Sequence, residues 1–179
     1  MHINSRKMAV SGLLMAFDVV LIILSGVLDF NTLFFLAAAA FLIGVIIREY
    51  DLRYGLAFFL GCLILGALLA PQKLYCITYA MMGIYVLGVE YIWRFLGNHP
   101  GWKNRRMLLI LGKVILFNLM YLPALFLFPK LLFAGEVSGV LLLIFAIGGQ
   151  AALFLFDRAY DYFLIRLWEQ VREKLFGRG

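Results

Sequence analysis

Six long runs of apolar residues, separated by short polar turns, constrain the fold of this chain more than any other feature. The runs approach the ~20 residues that a helix needs to cross the roughly 30 Å hydrocarbon layer of a bilayer. Of the 179 residues, 65% are apolar, whereas soluble domains have roughly 45–50%. We therefore predict an all-α membrane protein built as a bundle of six transmembrane helices. The predicted spans cover residues 8–28, 33–47, 55–70, 74–93, 107–128 and 137–156.

The basic residues predict how this bundle is oriented. Of the 16 Lys and Arg residues, Lys73 and Lys130 fall on one side of the predicted spans and the others fall on the opposite side. Basic residues accumulate on the cytoplasmic side of a membrane. We therefore expect a multi-pass protein of the cell (plasma) membrane with its N-terminus and C-terminus in the cytoplasm. Because topology accounts for the net charge of +6, we expect no nucleic-acid partner.

Residues 158–179 follow the last predicted span with a different pattern. Apolar residues such as Tyr160, Leu164, Leu167 and Val171 recur at three- and four-residue steps, with charged residues between them. This spacing predicts a cytoplasmic amphipathic helix and tail. Such a helix either lies on the lipid headgroups or serves as a docking surface for another protein.

Enzyme motifs are missing from the sequence, which has no Walker loop, nucleotide-binding glycine pattern, G-x-S-x-G or HExxH. Cys62 and Cys76 lie in or beside apolar segments, and no metal-ligand spacing accompanies them. We interpret both cysteines as small buried side chains. The prediction is a protein that is not an enzyme, has no cofactor or metal, and acts by binding, gating or scaffolding.

Asp18 is the sharpest candidate for a functional residue. It lies about ten residues into the first predicted span, where a charged side chain costs roughly 2.5–3.5 kcal/mol on insertion scales. Its side chain must therefore face the bundle interior, a cavity or a partner. Both a structural hydrogen bond to a neighbouring helix and a contact with a substrate or ion fit this position.

Further polar residues occur in the last two predicted spans. Asn118 and Tyr121 share one face of the fifth span, and Gln150 lies near the middle of the sixth. They could line a substrate-binding cavity, or they could simply hold the two helices together by hydrogen bonds. Lys113 is expected to extend its side chain to the cytoplasmic interface. Glu90 and Arg94 are expected to form an i,i+4 pair.

The start of the chain resembles the substrate-binding S components of energy-coupling factor (ECF) transporters. The resemblance is closest over the segment RKMAVSGLLMA at residues 6–16, where Gly12 and Ala16 are small residues four apart. In that family, a small-residue pair of the first helix packs on a transmembrane coupling subunit. The resemblance thus implies a small-molecule ligand such as a vitamin, a coupling subunit, and cytoplasmic ATPases as partners. It also implies that Gly12 and Ala16 form the partner interface.

A weaker resemblance connects the segments RYGLAFFLG at residues 53–61 and YAMMGIY at residues 79–85 with the MreD family, which has a similar six-helix plan. This resemblance implies a non-enzymatic scaffold of cell-envelope assembly. The sequence thus supports two hypotheses, a substrate-binding subunit and a membrane scaffold. They differ in whether Asp18, Asn118, Tyr121 and Gln150, or instead the amphipathic tail, carry the function.

Overall fold

The computed structural model describes residues 5–28, 31–98, 104–127 and 139–176, and the elements in these ranges are helices. Six of them are long and apolar enough to cross a membrane, which confirms the prediction of a helical chain with six helices of membrane-spanning length. The helices are α1 (Ser5–Val27), α2 (Thr32–Glu49), α3 (Leu52–Leu69), α4 (Lys73–Gly97), α5 (Arg105–Leu127), α6 (Gly139–Tyr162), a π-helical segment (Phe163–Trp168) and α7 (Glu169–Phe176).

The helix ends differ from the predicted ones by a few residues. Between the second and third spans, the helices extend so far that Tyr50 and Asp51 alone separate them. Asp51 makes this tight turn possible, because its Oδ1 accepts a hydrogen bond from the backbone N–H of Leu52 at 2.7 Å and so caps the start of α3. The predicted boundaries at residues 128 and 137 lie outside the described residues.

Beyond residue 156 the helix continues without interruption. α6 runs into the π-helical segment Phe163–Trp168, which leads directly into α7. The segment that we predicted as an amphipathic helix is therefore helical up to Phe176 and is joined end to end with the sixth span. Its position relative to the membrane stays a prediction, and residues 177–179 lie outside the described part.

The chain divides into two compact units, residues 1–94 and residues 95–179, which we call the N-terminal unit and the C-terminal unit. In the N-terminal unit, α1, α2 and α3 pack against one another. α2 lies deepest in this unit, since its residues from Ala39 to Ile47 are all buried. Small residues allow the close approach of the helices around it. A Cβ on Gly66 of α3 would lie 3.2 Å from Ile22 of α1.

Side-chain contacts join α4 to the other helices of the N-terminal unit. Gly83 of α4 lies so close to Phe59 of α3 that an added Cβ would be 2.4 Å from the ring, and it would be 3.0 Å from Ile43 of α2. The ring of Phe59 also packs on Tyr79 of α4, with 5.9 Å between the ring centroids. Aromatic packing and a glycine therefore position α4 on α2 and α3.

The C-terminal unit contains α5 and α6, which pack on each other. Tyr121 of α5 lies directly over Gly149 of α6, where an added Cβ would be 2.4 Å from the ring. The neighbouring Gly148 has no atom within 4 Å of the corresponding position. The two helices thus meet along the face that contains Gly149.

Candidate functional site

Asp18 lies inside the N-terminal unit, fully removed from the surface at 0% exposure. Its Oδ2 accepts a hydrogen bond of 2.9 Å from the hydroxyl of Tyr79 on α4. The buried thiol of Cys62, on α3, lies beside this pair. Three helices therefore contribute one polar side chain each to a cluster enclosed by apolar neighbours, which we call the Asp18 cluster. The sequence placed Asp18 in the interior but did not identify Tyr79, which is 61 residues away.

The other three predicted site residues come together in the C-terminal unit. The side-chain amides of Asn118 and Gln150 bond reciprocally, with Nε2 of Gln150 donating to Oδ1 of Asn118 at 2.8 Å and Nδ2 of Asn118 donating back at 3.3 Å. The hydroxyl of Tyr121 donates to the carbonyl of Phe145 at 2.8 Å. Asn118, Tyr121 and Gln150 thus form one polar row across the contact between α5 and α6, and all three are half-buried.

Lys113 extends this row by one more contact. Its ammonium group lies 2.7 Å from a carboxyl oxygen of Asp157 and 3.9 Å from one of Asp161, and the residue is buried. The side chain therefore pairs with α6, and its position relative to the membrane interface stays a prediction. The sequence contains a feature that indicates this ion pair, because Lys113 and Asp157 both lie near the predicted cytoplasmic ends of consecutive, antiparallel spans.

A second ion-pair network joins α2, α3 and α4. Arg48 donates to Oε1 of Glu90 through Nε at 3.1 Å and through Nη2 at 3.0 Å, and its guanidinium lies over the ring of Trp93. Arg94 donates to the carboxylate of Asp51 and to the backbone carbonyl of residue 47. Glu90 and Arg94, which we expected to bond to each other, thus each have a partner on a different element.

Asp51 is the member of this network that lies outside the apolar spans. The backbone N–H of Leu52, and then the guanidinium of Arg94, hold the pKa of this carboxyl below its ordinary value because both stabilise the charged form. The carboxylate consequently stays ionised and can cap α3 and bind Arg94 at the same time. The network closes the end of the N-terminal unit where α2, α3 and α4 meet.

Gly12 and Ala16, the predicted partner interface, lie on the exposed side of α1. A Cβ on Gly12 would meet no heavy atom within 4 Å. Their neighbours on the helix are exposed as well, Leu13 to 69% and Phe17 to 54%. This face of α1 is therefore not used for packing among the described residues.

Among the described residues, no group of three or more His, Cys, Asp or Glu side chains is arranged to hold a metal ion. Within the spans, Asp18 bonds to Tyr79 and Asn118 bonds to Gln150 across helices. The features together define the class of the protein as a polytopic α-helical protein with the composition of a membrane bundle. Comparisons of the chain with protein-family models, with curated proteins and with solved structures each returned no match.

Proposed function

We propose that this protein is the membrane-embedded substrate-binding subunit of an ECF-type uptake transporter for a small nutrient such as a vitamin. The observation that carries the proposal is the polar row of Asn118, Tyr121 and Gln150. Three half-buried polar side chains lie side by side in stretches of α5 and α6, residues 114–126 and 139–156, that are otherwise apolar. Binding sites for small molecules are mostly apolar and contain a few such convergent polar groups.

The amide pair suits this role because amides in contact with hydrocarbon need hydrogen-bond partners. In the structure, Asn118 and Gln150 supply these partners to each other. A ligand with its own donor and acceptor can replace one of these bonds without leaving either amide unsatisfied.

The exposed face of α1 supports the second half of the proposal, the coupling subunit. Gly12 and Ala16 leave a shallow surface onto which another helix can pack closely, as small residues do in membranes. Cytoplasmic ATPases would then act through that subunit. In this arrangement the protein remains a binding subunit with no catalytic residues of its own, in the plasma membrane with both termini cytoplasmic.

Ligand binding is tested by the thermal stability of the purified protein in detergent, with a panel of vitamins. A ligand present at 100 times its Kd stabilises the folded protein by about 2.7 kcal/mol, which a melting experiment resolves. We expect one vitamin to raise the melting temperature, and the paired change Asn118→Leu with Gln150→Leu to abolish that rise. The matched control is Leu119→Ala, since Leu119 is adjacent and 70% exposed. If no vitamin stabilises the protein, and none is released from it on denaturation, the proposal is wrong.

A second candidate function is a non-enzymatic membrane scaffold of cell-envelope assembly. The observation that favours it is the helical extension beyond the sixth span, where Tyr162, Ile165, Leu167 and Val171 are exposed apolar side chains. Such a surface suits a partner protein, and it suits a lipid interface equally. The scaffold hypothesis makes the end of the chain indispensable.

Truncation after Asp161 separates the two candidates. It keeps Asp157 and Asp161, the partners of Lys113, and removes the exposed apolar surface together with α7. A scaffold would lose its co-purifying cell-wall proteins on truncation, whereas a binding subunit would keep both its ligand-induced stabilisation and its ATPase partners. The reverse result, with ligand binding absent and cell-wall proteins lost, would establish the scaffold.

A further inference from the structure

Among the residues that the structure describes, no positive charge is paired with the buried carboxyl group of Asp18. The residue is completely inaccessible, and its hydrogen-bonding partners there are the hydroxyl of Tyr79 and the thiol of Cys62, both neutral groups. Its second oxygen, Oδ1, accepts no hydrogen bond there. An ionised carboxylate in such surroundings is very costly, so a buried charge is normally paired or neutralised.

Within the described ranges, the helices packed on Asp18 place no cation beside it. Arg53 is exposed in the first turn of α3, nine residues before Cys62, and Lys73 is the exposed first residue of α4, six residues before Tyr79. α4 contributes Tyr79, and α3 contributes the Cys62 thiol. The charged residues of α2 are in its last turn, where Arg48 is bonded to Glu90. On α1 itself, the basic residues are at positions 6 and 7, at least eleven residues before Asp18, which is about 16 Å along a helix axis.

We propose that Asp18 is a proton-binding site, occupied while α1, α3 and α4 are packed as in this structure. The proton, taken from water, resides on Oδ1. Oδ2 then serves as the carbonyl oxygen that accepts the hydrogen bond from Tyr79. In other proteins, apolar sites keep an aspartic acid protonated in this way, so that the neutral carboxyl group can form hydrogen bonds.

Such a site couples the packing of α4 to proton binding. Release of the proton leaves a charge that two neutral groups, one hydroxyl and one thiol, do not compensate, so the carboxylate is stable only if α4 withdraws and water or a cation enters. The Asp18 cluster therefore acts as a proton-dependent lock between α1 and α4. This inference goes beyond the transport proposal and does not depend on it, since a scaffold could use the same lock.

Infrared spectroscopy of the full-length protein in lipid nanodiscs tests the proposal at neutral pH. A protonated carboxyl has a C=O stretching band that a carboxylate lacks, and the band moves to higher frequency when the oxygen loses a hydrogen bond. We expect the wild-type protein to show this band and Asp18→Asn to lack it. We expect Tyr79→Phe to keep the band at higher frequency. The control Tyr85→Phe removes another buried hydroxyl of α4 and should leave the band in place.

Tyr79→Phe keeps the proposal testable if Asp18→Asn does not fold, because it removes one hydroxyl and retains the ring. A wild-type spectrum without the band at neutral pH would overturn the proposal. A band that survives Asp18→Asn, or that stays at the same frequency in Tyr79→Phe, would overturn it too. Vitamin-induced stabilisation is measured separately, so failure of the proton site and failure of the transport proposal are distinguishable.

Discussion

Two adjacent glycines of α6, Gly148 and Gly149, provide a test of the contact between α5 and α6. A Cβ on Gly149 would lie 2.4 Å from Cε1, 2.5 Å from Cζ and 2.7 Å from the hydroxyl oxygen of Tyr121. Since carbon atoms prefer a separation of about 3.5–4.0 Å, the ring must move by roughly 1 Å. That movement also weakens the hydrogen bond from Tyr121 to the carbonyl of Phe145, which is 2.8 Å long. The change Gly149→Ala should therefore be destabilising.

The magnitude follows from two terms. Overpacking of a buried contact costs about 1–3 kcal/mol, and one hydrogen bond contributes about 1 kcal/mol. Alanine gains up to about 1 kcal/mol of helix propensity over glycine, but Gly148→Ala gains the same amount and has open space around it. The propensity cancels in the comparison. We expect Gly149→Ala to be about 2–4 kcal/mol less stable than Gly148→Ala.

The assay is unfolding of both variants in mixed micelles by added denaturing detergent, followed by helical ellipticity. A third variant, Gly149→Ala combined with Tyr121→Ala, has no ring to clash with. When Tyr121→Ala is already present, Gly149→Ala should lower the unfolding free energy by less than about 1 kcal/mol. The reason is that residues without a mutual contact show little energetic coupling. Equal stability of Gly148→Ala and Gly149→Ala would refute the packing of Tyr121 on Gly149.

Three further predictions concern the ion pairs and the packing of α4. Lys113→Met leaves the half-buried carboxylate of Asp157 without its 2.7 Å partner, so the unfolding free energy should fall by about 1–3 kcal/mol, and adding Asp157→Leu should recover most of the loss. The pKa of the Asp51 carboxyl is lower in the folded protein than in the unfolded chain. Ionised Asp51 therefore stabilises the fold above its unfolded-state pKa, and this stabilisation is lost as the pH falls through its folded-state pKa. Melting curves of Asp51→Asn should therefore depend less on pH in the acid range than those of the wild type, and Arg94→Ala should show the same flattening in part. Gly83→Leu places a large side chain where a Cβ alone would lie 2.4 Å from the ring of Phe59. It should therefore lower the yield of folded protein in detergent. An unchanged yield and melting temperature would contradict the described position of α4.

The number of membrane-spanning segments and their helical structure could be predicted from the sequence because the hydrocarbon layer of a membrane allows few other structures. Within lipid, backbone groups must bond inside their own helix, so a run of apolar residues is enough to predict one. The same logic placed Asp18 in the interior, since a carboxyl at that depth cannot face lipid. Periodicity also placed Asn118 and Tyr121 on one face, where the structure has them bonded to α6.

The partners of these residues could not be predicted, because they depend on which helices are neighbours and at what depth. Tyr79 meets Asp18 across 61 positions of sequence, and no local pattern connects the two. Lys113 could have extended towards water as easily as towards Asp157, and only the packing of α5 on α6 selects the ion pair. The sequence predicted a helix on each side of residue 157 but not their direct continuation, which is possible because the segment 158–176 has good helix formers and no proline or glycine to end it.

Labelling of single introduced cysteines in intact cells tests the account most directly, because the six crossings and their orientation underlie every proposal above. Gln72 and Asn104 are exposed positions on links between helices, and Arg172 is an exposed position in α7. The native Cys62 and Cys76 are buried and give the background. We predict that a membrane-impermeant thiol reagent labels a cysteine at position 72 in intact cells, and labels cysteines at positions 104 and 172 only after the membrane is opened. Labelling at position 104 or 172 from outside, or release of the protein from membranes without detergent, would contradict the account.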